Sequence, residues 1–152
     1  RYSHTLIFNL TIMKKLPYLL LSISILLLVS SSCAHKTTFQ TSTVVPAAEG
    51  TVQWKKDSNK NYVITIKMVN LAEVERLEPP KKAYVVWMEN EEGRPKNLGQ
   101  INSSHETFTR KLKATFQTVS SFKPTKIYIT AEDESNVNFP SSMVVLQSKT
   151  IK

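Results

Sequence analysis

A single thiol, three imidazoles and two short clusters of oxygen-bearing side chains stand out as chemical groups in this 152-residue chain. Cys33 has no second cysteine to pair with, and one cysteine with three scattered histidines makes no dedicated zinc or iron–sulfur site. No metal or cofactor is expected. Residues 103–106 read Ser-Ser-His-Glu, so a nucleophile, base and acid can be drawn from Ser104, His105 and Glu106. Consecutive residues rarely aim at one another as a triad requires. His105 therefore reads as a solvated loop histidine, His35 lies in a polar stretch, and no catalytic residue is assigned.

Glu132, Asp133 and Glu134, with Asn136 and Asn138 close by, could offer oxygens to calcium, but the EF-hand spacing and its glycine are missing. A solvated acidic loop is the preferred reading. Glu89, Glu91 and Glu92 read as hairpin-tip charges offset by Arg94 and Lys96. Aromatic rings are the remaining candidates. Tyr84 and Trp87 stand three apart in AYVVWME, a run apolar at nearly every position, so in a strand they point to opposite faces. An exposed ring stacks on a sugar face, which makes Trp87, Tyr84 and Trp54 the candidate ligand-binding residues. Core packing is the competing reading for each.

From Met13 the chain runs MKKLPYLLLSISILLLVSSSC, with Lys14 and Lys15 as a basic head and an apolar stretch over residues 16–29. This is the layout of a signal peptide. The stretch is shorter than the roughly 20 residues a membrane-spanning helix needs, which disfavours a permanent transmembrane anchor. Small residues then lead into Cys33, and the whole resembles a bacterial lipoprotein signal.

That resemblance implies diacylglyceryl transfer to the Cys33 sulfur, cleavage just before it, and acylation of the new amino group. A thiolate is a far better nucleophile near neutral pH than a hydroxyl would be. Ser30 departs from the usual Leu or Val three residues before the cysteine, although Val29 is one step away. An ordinary secretory signal followed by an incidental free cysteine is the alternative. Ala34, in place of the Asp that retains some lipoproteins at the inner membrane, points to the outer membrane, facing the periplasm or the cell surface. Residues 1–12 precede Met13 and read as translated leader from a misplaced start, so His4 carries no function.

The net charge of +8 shrinks once it is located. Residues 1–32 hold Arg1, Lys14 and Lys15 and no acids, leaving 17 bases against 12 acids, or +5, for the rest. No segment interleaves several Lys or Arg with aromatics, so a nucleic-acid groove is not expected.

Beyond a Thr-rich stretch over residues 33–43, read as a flexible tether, the pattern is of strands. Residues 51–56 place Val52 and Trp54 on one side, and residues 57–61 (DSNKN) form a polar turn. Residues 62–70 alternate Tyr62, Ile64, Ile66 and Met68 against Thr65 and Lys67, the mark of a half-buried strand. Leu71, Val74 and Leu77 suit one or two helical turns ended by Pro79 and Pro80. Further strands are expected over residues 83–89, 96–101, 107–116, 126–131 and 143–151. Arg110 interrupts the apolar side of the strand expected over residues 107–116 and belongs near a sheet margin.

About seven strands and almost no helix predict an all-β fold over residues 44–152, an antiparallel Ig-like β-sandwich preceded by a signal-peptide helix. Just over 100 residues can bury a core without disulfides.

Three segments also resemble, in order, parts of the C-terminal extracytoplasmic domain of anti-sigma-K factors: VVPAAEG, YVVWMENEEGRPKNLGQI and ITAEDESNVNFPSSMVVL. The matching positions are Tyr84, Trp87, Gly93, Leu98, Gly99, Glu132 and Pro140. In layout the chain is closer still to short lipoproteins of Bacteroidetes. The resemblance implies a β-sandwich with a sensing or docking role and supplies no catalytic residues. In anti-sigma factors a cytoplasmic helical segment holds the sigma factor; here a signal peptide precedes the β domain, so sigma binding is not carried over.

The expectation is a non-catalytic envelope protein held to the membrane by acyl chains on Cys33. It would bind or sense another envelope protein or a glycan. A carbohydrate-binding accessory is the alternative, and a small hydrolase using Ser104 and His105 ranks last.

Overall fold

Alternation of apolar and polar residues builds two antiparallel four-stranded sheets in the computed structural model, which describes residues 34–101 and 113–151. Cys33, residues 1–32, which were read as leader and signal, Arg110 and the Ser104–His105 cluster lie outside the described residues. The strands are β1 (His35–Thr38), β2 (Glu49–Lys56), β3 (Tyr62–Val69), β4 (Ala83–Glu89), β5 (Pro95–Ile101), β6 (Lys113–Ser120), β7 (Lys126–Glu132) and β8 (Val144–Gln147). One sheet has the order β1-β2-β3-β6 and the other β5-β4-β7-β8. The expected β-sandwich is present.

Period two decides what each strand buries. Val52, Trp54, Ile64, Ile66, Met68 and Ala114 of the first sheet face Tyr84, Val86, Met88, Ile127, Ile129 and Ala131 of the second, and all are buried. Thr65, Lys67, Thr115 and Gln117 turn outward, so the outer face of the first sheet is polar. Leu71, Val74 and Leu77 are buried too, and close one end of the core. Their spacing of three produces a single 3-10 turn, Val74–Arg76, rather than a longer helix, and Tyr84 Oη donates to the Ala72 carbonyl at 3.0 Å beside it.

The stretch read as a tether differs most from expectation. His35–Thr38 pairs with Thr51–Trp54 as an eighth strand, and the His35 ring stacks on Trp54 with centroids 5.4 Å apart. The chain then crosses to the other sheet: Phe39 bridges Ser148, and Gln40 N–H donates to the Gln147 carbonyl at 2.9 Å. Ser42 is buried, its Oγ accepting the N–H groups of Val44 and Val45. An edge that would template another chain is covered in this way. Gly50 makes the crossing possible, because a Cβ there would lie 2.8 Å from the Phe39 ring and 2.9 Å from the Lys67 carbonyl oxygen.

Two boundaries also shift. β6 runs on to Ser120, four residues past the expected end at Phe116, while its expected start lies outside the described residues. β8 stops at Gln147, and Ile151 folds back with its N–H on the Thr125 carbonyl at 2.7 Å.

Candidate functional site

The central strands of the second sheet, β4 and β7, are buried on both faces, and this decides the fate of the aromatic candidates. Tyr84 points into the core between the sheets and Trp87 points out the other side, as their spacing predicts. The outer side is not open. Trp87 is 0% exposed, packed with Ala83, Val85 and Tyr128 under the segment 133–142 that links β7 to β8. Its indole lies parallel to the Tyr128 ring at 6.4 Å. Trp54 and Tyr84 are buried as well. None of the three presents a face to a sugar, so the reading that assigned them to ligand binding is corrected: all three are packing residues.

What holds the covering segment down is a chain of hydrogen bonds starting at the tryptophan. Trp87 Nε1 donates to Thr130 Oγ1 at 2.8 Å, and the Thr130 hydroxyl donates to the Glu132 carboxylate. The same carboxylate oxygen accepts the Ser141 N–H at 2.8 Å, and Ser141 Oγ donates to the Ala131 carbonyl at 3.1 Å. Further along, Asn97 Nδ2 donates to the carbonyls of Ser135 (3.0 Å) and Val137 (2.9 Å). A bulge aims that side chain. Val86 pairs with Gly99 and Trp87 with Asn97, so Leu98 is the extra residue. Gly99 takes the positive φ of +127° and Leu98 packs into the core, leaving Asn97 on the outer face.

Glu132 is thus 4% exposed and committed to two donors, not part of a solvated acidic loop. Thr130, two residues earlier on the same face, is the sequence signal that places it there. Asp133 pairs with Lys81 Nζ at 2.8 Å. Among the described residues no group of three His, Cys, Asp or Glu is placed to hold a metal ion.

At the β4–β5 hairpin the expected charges are partly matched. Arg94 meets Glu92 at 3.3 Å and Lys126 meets Glu89 at 3.8 Å, while Asn90 Oδ1 caps the turn by accepting the Glu92 and Arg94 N–H groups. Lys96 instead lies over the Phe122 ring, 5.5 Å from its centroid.

Two buried phenols give this packing a pH signature. Burial, with Glu75 adding to it, pushes Tyr84 up to about 12; burial, then Glu89 and Glu132, does the same for Tyr128. Both exceed the ordinary value near 10. A raised folded-state value means the fold favours the neutral ring, so this contribution is intact below about pH 10 and is lost between about 10 and 12. Urea unfolding across that range should show midpoints falling in step with tyrosinate absorbance. Midpoints that stay level would contradict the burial of both rings.

Among the hollows on the surface of the described residues, two lie at opposite ends of the strands. A groove of about 600 Å³ lies where β1 leaves the first sheet, lined by Phe39, Pro46, Ala48 and Val69 with Glu49 and Lys67 at its polar margin. At the opposite end of the strands, a smaller hollow of about 370 Å³ is lined by Lys56, Lys60, Tyr62, Glu91, Phe122 and Lys123.

No family model, curated protein or solved structure matches this chain. Its function therefore rests on its own residues.

Proposed function

We propose that the chain is a non-catalytic, lipid-anchored protein of the cell envelope whose β-sandwich binds or senses another envelope component. The observation that carries this reading is where the folded unit begins. The compact unit holding both sheets runs from Ala34, the residue directly after Cys33, and β1 starts one residue later. Cleavage before Cys33 would remove the signal and leave the whole sandwich, with the acylated residue at its first position. Diacyl and amino-linked acyl chains together anchor stably, whereas one chain binds a membrane only marginally. Among the described residues no helix is long and apolar enough to cross a membrane.

A binding role is supported by the groove beside Phe39, which opens at the end of the strands away from His35 and hence away from the anchor. Phe139, 78% exposed on the segment 133–142, is a further apolar side chain open to a partner. The resemblance to an extracytoplasmic sensing domain favours the same role. The outer membrane is the proposed location. The test of the anchor is metabolic labelling with an alkynyl fatty acid, which should mark the natural chain and miss Cys33→Ser.

A further inference from the structure

We propose that the end of the sandwich from which the chain leaves toward Cys33 is a membrane-contact surface for an anionic phospholipid leaflet. This rests on the lipid-anchor reading above and adds an orientation to it.

The geometry starts from β1. His35 pairs with Trp54, so Ala34 lies beside Lys55 and Val63, and with them lines a shallow hollow of about 330 Å³. One peptide unit spans only about 3.8 Å. Because β1 has taken up the stretch expected to be a tether, an acyl chain on Cys33 would hold this end of the sandwich close to the lipid.

That end has the composition such a contact needs. It is formed by residues 34–36, 53–63, 89–97, 119–127 and 148–151, which meet there through the strand registers. These segments hold nine Lys or Arg against four Asp or Glu, while the other described residues hold five against seven. Three of the four acids are already engaged: Asp57 accepts the N–H groups of Asn59 and Asn61, Glu89 meets Lys126, and Glu92 meets Arg94. Glu91 is exposed on the same rim and weakens the patch locally. Lys55, Lys56 and Lys60 project from the β2–β3 hairpin, and Lys96 and Lys123 flank Phe122.

Two apolar side chains sit among these cations. Phe122 is 53% exposed and Val119 56% exposed. An aromatic ring surrounded by lysines suits the headgroup boundary, where the ring enters the acyl margin and the ammonium groups meet lipid phosphates. A nucleic acid or acidic protein shares the charge preference but gives Phe122 and Val119 no apolar phase. The opposite end, with its groove and Phe139, is then turned away from the membrane.

The test uses the full chain, purified from the membranes of a lipoprotein-processing bacterium, with an environment-sensitive dye on Ser121→Cys or, as control, Lys82→Cys. Ser121 is exposed beside Phe122, and Lys82 is exposed at the far end of β4. An acylated Cys33 does not react with the dye, so each variant should take up one label. In vesicles of phosphatidylcholine with phosphatidylglycerol, the Ser121 probe should shift to the blue and be quenched by brominated lipid. The Lys82 probe should do neither. The Ser121 signal should fall in phosphatidylcholine alone, at high salt, and in Lys55→Glu/Lys123→Glu, with flotation unchanged.

A chain that floats with one label but quenches equally at both positions overturns the membrane contact and leaves the anchor standing. Two labels per chain, or failure to float, overturns the anchor and this orientation together.

Discussion

Trp87→Ala should cost about 3–5 kcal/mol of stability, the range for deleting a fully buried aromatic side chain. Small domains commonly hold 5–15 kcal/mol in all, so the variant stands near the limit of folding. Trp87 fills the space between the second sheet and the segment 133–142, against Val85 and Tyr128, and its removal leaves a cavity over a strand held by ladders to β5 and β7 on either side. Trp87→Phe should cost less. It keeps most of the packing, and Thr130, though it loses the indole donor, keeps its bond to Glu132. Urea unfolding followed by far-ultraviolet circular dichroism measures both. A loss below about 1 kcal/mol for the alanine variant would contradict a buried role and reopen the ring as a ligand platform.

Glu132→Ala should release the covering segment. The carboxylate is the acceptor for the Ser141 N–H and the Thr130 hydroxyl, and removing it strands donors in a dry site at about 1–3 kcal/mol. The cost should concentrate locally, because Asn97 holds the middle of the segment independently. Faster amide exchange at Ser141 and a red shift of Trp87 emission are the expected signs. Glu132→Gln, which keeps an acceptor oxygen and the volume, should fall between the natural chain and the alanine variant. Unchanged exchange at Ser141 in Glu132→Ala would contradict the strap.

Trp87 and Glu132 share a face that composition could not reveal. The inner core was legible because Ile64, Ile66 and Met68 alternate with Thr65 and Lys67, and such alternation fixes both strand and face. AYVVWME was legible as a strand apolar on both sides, but what covers its second side is the segment 133–142, reading DESNVNFPSS, where Val137 is the main apolar contributor. Its adhesion comes from backbone carbonyls offered to Asn97 and one N–H offered to Glu132, and main-chain groups leave no mark on sequence. Glu132 misleads for the same reason. Its neighbours Asp133 and Glu134 are exposed, and only its register beside Thr130 sets it apart.

β1 was hidden by length and polarity. His-Lys-Thr-Thr has no apolar alternation, and its strand character comes from long-range pairing with β2 and from the Trp54 ring beneath His35. That missed strand has the largest functional consequence. With the proposed anchor at Cys33, a flexible tether would let the sandwich turn freely above the membrane, whereas a strand beginning directly after Ala34 would fix which end faces it.

Labelling with an alkynyl fatty acid tests the proposed anchor at Cys33 most directly. Cells expressing the natural chain should yield a labelled protein that stays with the membranes, and Cys33→Ser should yield neither label nor membrane association. Equal labelling of the two chains would contradict the account.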